Sequence, residues 1–151
     1  MSGVENLHFK IGLTGTYWDK KPQYSILIND TLIQLGQIDT LTDEICYVEF
    51  DHTVTEGPAI LKIRLENKED SDVVKDNYTS ENFTIIKDML LSIKSLEIDN
   101  VDIGNIFWKN STFTGDDPRR PVLTNCVDLG WNGTWELTFE SPFYIWLLEN
   151  I

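Results

Sequence analysis

Residues 57–67 read GPAILKIRLEN, and residues 88–104 read DMLLSIKSLEIDNVDIG. In the first segment, apolar residues alternate with Lys62 and Arg64, which is the two-residue period of a strand with one buried face. The second segment predicts a strand that ends in a hairpin at Asn100, because its flanking turns fit a sheet better than a helix. These strands, on either side of a long polar loop, decide the fold class.

Short strands with similar alternation recur along the rest of the chain. They are predicted at residues 7–13, 24–28, 32–35, 45–54, 106–108 and 134–139. The turn pairs Asn29-Asp30 and Asn132-Gly133 tolerate the positive φ that tight hairpins need. Eight or more such strands predict an all-β fold, an antiparallel β-sandwich of jelly-roll or Ig-like type. The length fits one β-sandwich domain over residues 1–151.

The C-terminal residues 143–151, FYIWLLENI, leave two alternatives open. They form either one short C-terminal helix, with Ser141 as N-cap and Pro142 at the first helical position, or an edge strand. In either form this apolar run packs against its own sandwich or inserts into a neighbouring molecule.

The net charge of the chain limits the classes of partner that it can bind. There are 25 acidic and 12 basic residues, for a net charge of −13. Such a surface repels phosphate backbones and anionic lipid, so we expect neither nucleic acid nor a membrane as partner. The N-terminus shows no secretory signal and no apolar run is long enough to span a membrane, so we expect synthesis in a cytosol without secretion by a signal peptide. Cys46 and Cys126 lack metal-site or redox spacing and are expected to be reduced thiols.

One stretch carries a family resemblance. The hairpin strand ILIND at residues 26–30 is followed by a strand ending in Leu65-Glu66-Asn67, an acid-rich loop over 68–87 and the segment DMLLSI from Asp88. Over residues 24–104 this pattern resembles the calcium-dependent xylan-binding modules, which are small β-sandwich carbohydrate-binding domains. The family has Arg-Asn after the first Asp of the last motif, where this chain has Met89-Leu90, and an Asp where this chain has Lys68.

The resemblance implies a calcium site in the acidic loop. Calcium takes six or more oxygen ligands, and Asn67, Asp70, Asp72 and Asp88 could supply some of them. A solvated acidic loop without a metal is the alternative. The sequence implies no cofactor other than calcium.

The five tryptophans are many for a chain of this length. Aromatic rings stack on sugars or anchor protein interfaces, whereas Trp135, on an alternating strand, is expected in the core. The candidate contacts with a ligand or partner are Tyr17, Trp18, Trp108, Phe143, Tyr144 and Trp146. Of these, Tyr17 and Trp18 lie in a loop beside Asp19 and form the expected exposed pair.

A second resemblance covers the C-terminal part of the chain. The segments GWNGTWEL at 130–137 and SPFYIWLLEN at 141–150 are similar to small uncharacterised proteins of tailed phages, particularly marine and cyanobacterial ones. This similarity implies a virion component, assembled in the host cytoplasm. Its partners would be other virion proteins or further copies of this chain.

Two functional hypotheses follow, and neither is enzymatic. Gly-rich phosphate loops, nucleophile elbows and zinc-protease motifs are all missing from the sequence. The leading hypothesis is a phage virion structural or interaction protein, a capsid decoration or tail component, built on a carbohydrate-binding-module-like sandwich. The alternative is a calcium-dependent carbohydrate-binding module that recognises a surface glycan. Acidic mimicry of nucleic acid ranks last, because the acids are spread across loops.

Overall fold

Two antiparallel sheets face each other in the computed structural model, which describes residues 3–42, 44–76 and 84–151. The strands are β1 Val4–Thr16, β2 Gln23–Ile28, β3 Thr31–Gln37, β4 Cys46–Thr55, β5 Gly57–Leu65, β6 Val74–Asp76, β7 Thr84–Lys87, β8 Leu90–Ile98, β9 Val101–Asp102, β10 Ser111–Gly115, β11 Leu123–Thr124, β12 Asp128–Leu129 and β13 Gly133–Ser141. The helices are α1 Gly104–Lys109 and α2 Phe143–Asn150, and a 3₁₀ turn spans Asp70–Asp72. The all-β antiparallel fold predicted from the sequence is confirmed.

Each sheet contributes one apolar face to a shared core. Sheet A has the order β12-β8-β1-β4, with β9 also paired to β8, and sheet B has the order β11-β10-β13-β5-β2-β3. In β5, Ala59, Leu61, Ile63 and Leu65 are at most 1% exposed, which is the alternation that the sequence shows. Trp135, in β13, is fully buried among them, as expected.

Two predicted hairpin turns have the backbone geometry that their residues favour. Asn29 and Asp30 join β2 to β3 with φ of 49° and 65°, and Asp99 and Asn100 join β8 to β9 with φ of 50° and 65°. Asn and Asp tolerate this left-handed region better than other non-glycine residues. The second of these turns ends β8, which is a strand as the sequence predicted.

The strand predicted at residues 106–108 is wrong, because helix α1 occupies this segment. Ile103, the N-cap of α1, and Ile106, in its first turn, are both buried on the same side of the chain. The side-chain amide of Asn110 donates to the carbonyl oxygen of Ile106 at 2.9 Å and satisfies the last turn. A strand would have turned one of the two isoleucines towards solvent.

The C-terminal alternative is also decided, since residues 143–150 form α2 and not an edge strand. Ser141 does not cap the helix, because its hydroxyl donates to Oε1 of Glu5 at 2.6 Å. Phe143 and Trp146 lie three residues apart and are buried against the sandwich. One face of the apolar run therefore packs on its own sandwich, while Tyr144, Ile145 and Leu148 remain exposed. Neither described helix is long and apolar enough to cross a membrane.

Candidate functional site

Several loops meet at one end of the sandwich, and the strand register shows which. Gly133, at the start of β13, pairs with both Gly115, at the end of β10, and Leu65, at the end of β5. In the other sheet, Thr16 at the end of β1 pairs with Leu90 at the start of β8. The loops that follow β1, β5 and β10 therefore lie beside those that precede β8 and β13.

A groove of about 590 Å³ opens between these loops. Its lining residues are Lys68, Glu69, Asp70, Val73, Lys75, Asp116, Asp117, Arg120, Gly130, Trp131 and Asn132. Its volume falls within the range of small-molecule binding sites. It is largely polar and combines charges of both signs with one aromatic ring.

Trp131 and Arg120 form the aromatic part of this groove. The guanidinium carbon of Arg120 lies 4.2 Å from the centroid of the Trp131 ring, which is a cation–π contact. Phe113 packs against the same indole at 5.7 Å between ring centroids and fixes its position. The indole N–H of Trp131 is buried and has no hydrogen-bond acceptor among the described atoms. Arg120 itself is exposed, so its N–H groups face the solvent of the groove.

The aspartates of the groove wall are held by arginines. Asp116 accepts two hydrogen bonds from Nη2 of Arg64, at 2.9 and 3.1 Å. Asp117 accepts from Nη2 of Arg119 at 2.8 Å, and the hydrogen bonds from this side chain and from the Arg119 backbone lower the pKa of Asp117 to about 2. Both aspartates are thus oriented, and Asp117 stays ionised over the physiological pH range.

Lys68 forms the floor of the groove. Its ammonium donates to Oδ1 of Asp88 and to the carbonyl oxygen of Gly130, each at 2.6 Å. The Lys68 side chain is only 9% exposed. The backbone of Lys68 is also bound on both sides by the Asn132 amide, which accepts from Lys68 N at 2.8 Å and donates to Lys68 O at 2.9 Å. These contacts lock the loop after β5 to the loop before β13.

The predicted calcium ligands are each placed by the structure. Asn67 uses its side chain to accept from the backbone of Gln23 at 2.8 Å and to donate to the carbonyl of Lys21 at 3.0 Å. Asp72 is 2% exposed and caps the 3₁₀ turn through the backbone N–H of Glu69 at 2.7 Å.

The other two predicted ligands are Asp88 and Asp70. Asp88 is bound by Lys68, and Asp70 lines the groove. Among residues 3–42, 44–76 and 84–151, no three His, Cys, Asp or Glu side chains form a group that could hold a metal. The predicted ligands therefore do not fit calcium as they are placed, although part of the acidic loop, residues 77–83, lies outside the described residues.

The aromatic residues predicted to contact a ligand or partner differ in how exposed their side chains are. Trp18 is 42% exposed, and its indole N–H donates to the carbonyl of Asp72 at 2.9 Å. Tyr17 is half-buried, with its hydroxyl donating to the carbonyl of Thr40. Tyr144, in α2, is 54% exposed and can reach a partner.

Two members of that aromatic set need correction. Phe143 and Trp146 are 0% and 7% exposed, because they fill the core beneath α2, and they cannot contact a ligand. Trp108 lies in α1, and its side chain is outside the part of the chain that the structure describes.

Trp131 and Arg120 were missed as site residues. Neither residue belongs to the set of aromatic contacts or calcium ligands that the sequence predicted. A tryptophan directly before a tight turn, away from the alternating strand, was the available signal.

Comparison with known proteins identifies similar folds. No protein-family model and no curated protein matches the chain. The structure of vCBM60 in complex with galactobiose has a TM-score of 0.52 and 12% identity, and the match covers 86% of this chain and 96% of that chain. The selenomethionine form of vCBM60 has the same TM-score and identity, with coverage of 87% and 89%. The work on this second structure links two families of calcium-dependent carbohydrate-binding modules by circular permutation.

At 12% identity these similarities show the fold alone. The chain is a β-sandwich like those of carbohydrate-binding modules, as the sequence predicted. The comparisons do not show the predicted resemblance to phage proteins.

Proposed function

We propose that this chain is a non-catalytic carbohydrate-binding module that binds a glycan in the groove at the end of the sandwich. The observation that carries this proposal is the Arg120–Trp131 pair, in which an aromatic ring supports a set of charged donors in an open polar groove. The fold shared with vCBM60, solved with galactobiose, supports the same class of ligand.

The groove has the chemical features that a sugar requires. A sugar presents hydroxyl groups that both donate and accept hydrogen bonds, together with an apolar ring face. The Arg120 guanidinium supplies several donors, and the exposed carboxylate of Asp70, which also lines the groove, supplies acceptors. The Trp131 ring lies beneath the Arg120 guanidinium and holds this donor group in the groove.

Calorimetric titration with galactobiose and with xylo-oligosaccharides tests the proposal, with Arg120→Ala as the main variant. Hydrogen bonds to a charged group contribute about 1.5–3 kcal/mol, so we expect at least roughly a tenfold loss of affinity. Lys94→Ala is the control, because Lys94 is an exposed basic residue on β8 and is not part of the groove lining. Binding that is equally strong in both variants would place the glycan elsewhere, and no binding to any glycan on an array would reject the function.

The virion hypothesis stays a prediction, together with assembly in the host cytoplasm and partnership with virion proteins or further copies of the chain. One surface supports a protein partner. Tyr144, Ile145 and Leu148 are 54%, 56% and 72% exposed on α2, at the end of the sandwich opposite the groove. Detection of this chain by mass spectrometry in purified phage particles would test it, and the two roles are compatible because they use opposite ends.

A further inference from the structure

The floor of the groove already contains a cation. The Lys68 ammonium lies 2.6 Å from Oδ1 of Asp88 and 2.6 Å from the carbonyl oxygen of Gly130, and the Lys68 side chain is 9% exposed. A carboxylate and a backbone carbonyl are the oxygen types that calcium takes in proteins. Here both are occupied by an ammonium group supplied by the chain itself.

A second lysine neutralises the neighbouring acidic turn. Nζ of Lys20 lies 3.0 Å from Oδ2 of Asp72 and 3.0 Å from Oε1 of Glu69. Asp72 is buried, and its carboxylate also accepts the backbone N–H of Glu69. Two of the three aspartates that the sequence offered as calcium ligands, Asp72 and Asp88, therefore have a lysine as their counter-ion.

Calcium could enter this floor only by displacing the ammonium of Lys68. A divalent ion beside Asp88 would be repelled by that ammonium, and the partly buried position reduces screening by solvent. Moving Lys68 away would break its contact with Gly130 and disturb the backbone that Asn132 holds from both sides. The local structure thus opposes calcium binding at Asp88.

We propose that Lys68 is the resident cation of this groove and that the module binds its ligand without calcium. In this it differs from the calcium-dependent modules to which its fold is similar. The ammonium orders the loops after β5 and before β13, which form two walls of the groove. The inference rests on the proposed function only where glycan affinity is measured, because calcium binding can be tested directly.

The first experiment uses the wild-type protein. Equilibrium dialysis against calcium should show no bound ion in the millimolar range, and the melting temperature should be the same in calcium and in EDTA. A ligand present at a hundred times its Kd would raise the melting temperature of a domain of this size by roughly 5–10 °C. Such a rise, or a tenfold loss of glycan affinity on adding EDTA, would overturn the inference.

The second experiment replaces the cation. Lys68→Met keeps the length of the side chain but leaves Asp88 without its counter-ion, and we expect the melting temperature to fall by about 10 °C. Lys62→Met is the matched control, because Lys62 is also ion-paired, to Asp30, but lies on β5 outside the groove lining. An unchanged melting temperature in Lys68→Met would mean that the ammonium orders nothing, which contradicts the proposal.

The two proposals can fail separately. If Lys68→Met does not fold, the wild-type dialysis still decides whether calcium binds. If the wild type binds no glycan in either buffer, the proposed function fails, while the dialysis continues to test the resident cation.

Discussion

The carboxylate of Glu5 accepts the backbone N–H of Phe143 at 2.7 Å, so the first strand holds the first turn of the last helix. The same Oε1 atom also accepts the hydroxyl of the buried Ser141. Because hydrogen bonds to a charged group contribute about 1.5–3 kcal/mol, we expect Glu5→Ala to lower the free energy of unfolding by about 2 kcal/mol. Urea unfolding followed by tryptophan fluorescence measures this change.

The control for Glu5 is Glu140→Ala, which removes an exposed carboxylate near the end of β13. It should change stability by no more than about 0.5 kcal/mol. Equal losses in the two variants would show that α2 does not depend on Glu5 for its first turn.

Asp72 and Asp70 offer a matched pair within one turn. Asp72 is buried, caps the turn and pairs with Lys20, whereas Asp70 is exposed at the groove. We expect Asp72→Ala to cost about 2–3 kcal/mol, because it leaves the Glu69 N–H unsatisfied and removes one of the two carboxylate partners of Lys20. Asp70→Ala should leave stability within about 0.5 kcal/mol but weaken glycan binding.

Thermal unfolding and calorimetric titration of the two aspartate variants separate structure from binding. If Asp70→Ala proved the more destabilising, the assignment of Asp72 as the capping residue would be contradicted.

Local patterns predicted most strands of the sandwich. In β5, Leu61 and Ile63 alternate with Lys62, so a few neighbouring residues are enough to identify the strand. The Asn29-Asp30 turn was predictable because the positive φ angles depend on the preferences of these two residues alone. Helix α1 was missed because its signal, the spacing of Ile103 and Ile106, is too short to distinguish from a strand without the surrounding core.

The candidate site was harder to predict because its contacts join distant parts of the chain. Lys68 and Asn132 are 64 residues apart, and nothing near either one indicates the pairing. The sequence predicted a binding site in the acidic loop. It also showed Lys68 at a position where the calcium-dependent xylan-binding modules have an Asp. It could not show that this lysine folds back onto Asp88, which changes the expected chemistry of the loop.

His8 should titrate above its ordinary pKa. The hydrogen bond between Nδ1 of His8 and Asp51, at 2.8 Å, raises the pKa most, partial desolvation opposes it, and the contact of Nε2 with Glu49 at 3.2 Å raises it further. Both ring nitrogens face carboxylates, and only the imidazolium can donate to both. The stabilising contribution is therefore fully present below pH 6.5, the ordinary pKa, and is lost as the pH rises through the higher folded-state pKa.

An NMR titration of the His8 ring protons in the wild type and in Asp51→Asn tests this. The variant should titrate at lower pH than the wild type, because the strongest contribution is removed. Glu56→Gln, at an exposed acid just beyond β4, should leave the His8 titration unchanged. A wild-type pKa at or below 6.5 would contradict the bridging arrangement.

Two glycines at the groove differ in what a methyl group would meet. A Cβ on Gly115 would lie 2.5 Å from Nε1 and 2.8 Å from Cδ1 of Trp131, so the indole would have to move. The ring is packed against Phe113 and cannot shift freely, and we expect Gly115→Ala to cost about 1–3 kcal/mol of stability. Because the displaced ring carries Arg120 with it, glycan affinity should fall as well.

Gly130→Ala is the matched control, since Gly130 also lines the groove but its Cβ would meet only Cδ2 of Leu90 at 3.8 Å, an ordinary contact. Its backbone carbonyl, which binds Lys68, is unchanged by the substitution. Thermal unfolding and titration with the same oligosaccharide should therefore show a loss for Gly115→Ala and little change for Gly130→Ala. If both variants lost affinity without losing stability, the ligand would lie against the Gly130 backbone, and the Arg120–Trp131 pair would not be its binding site.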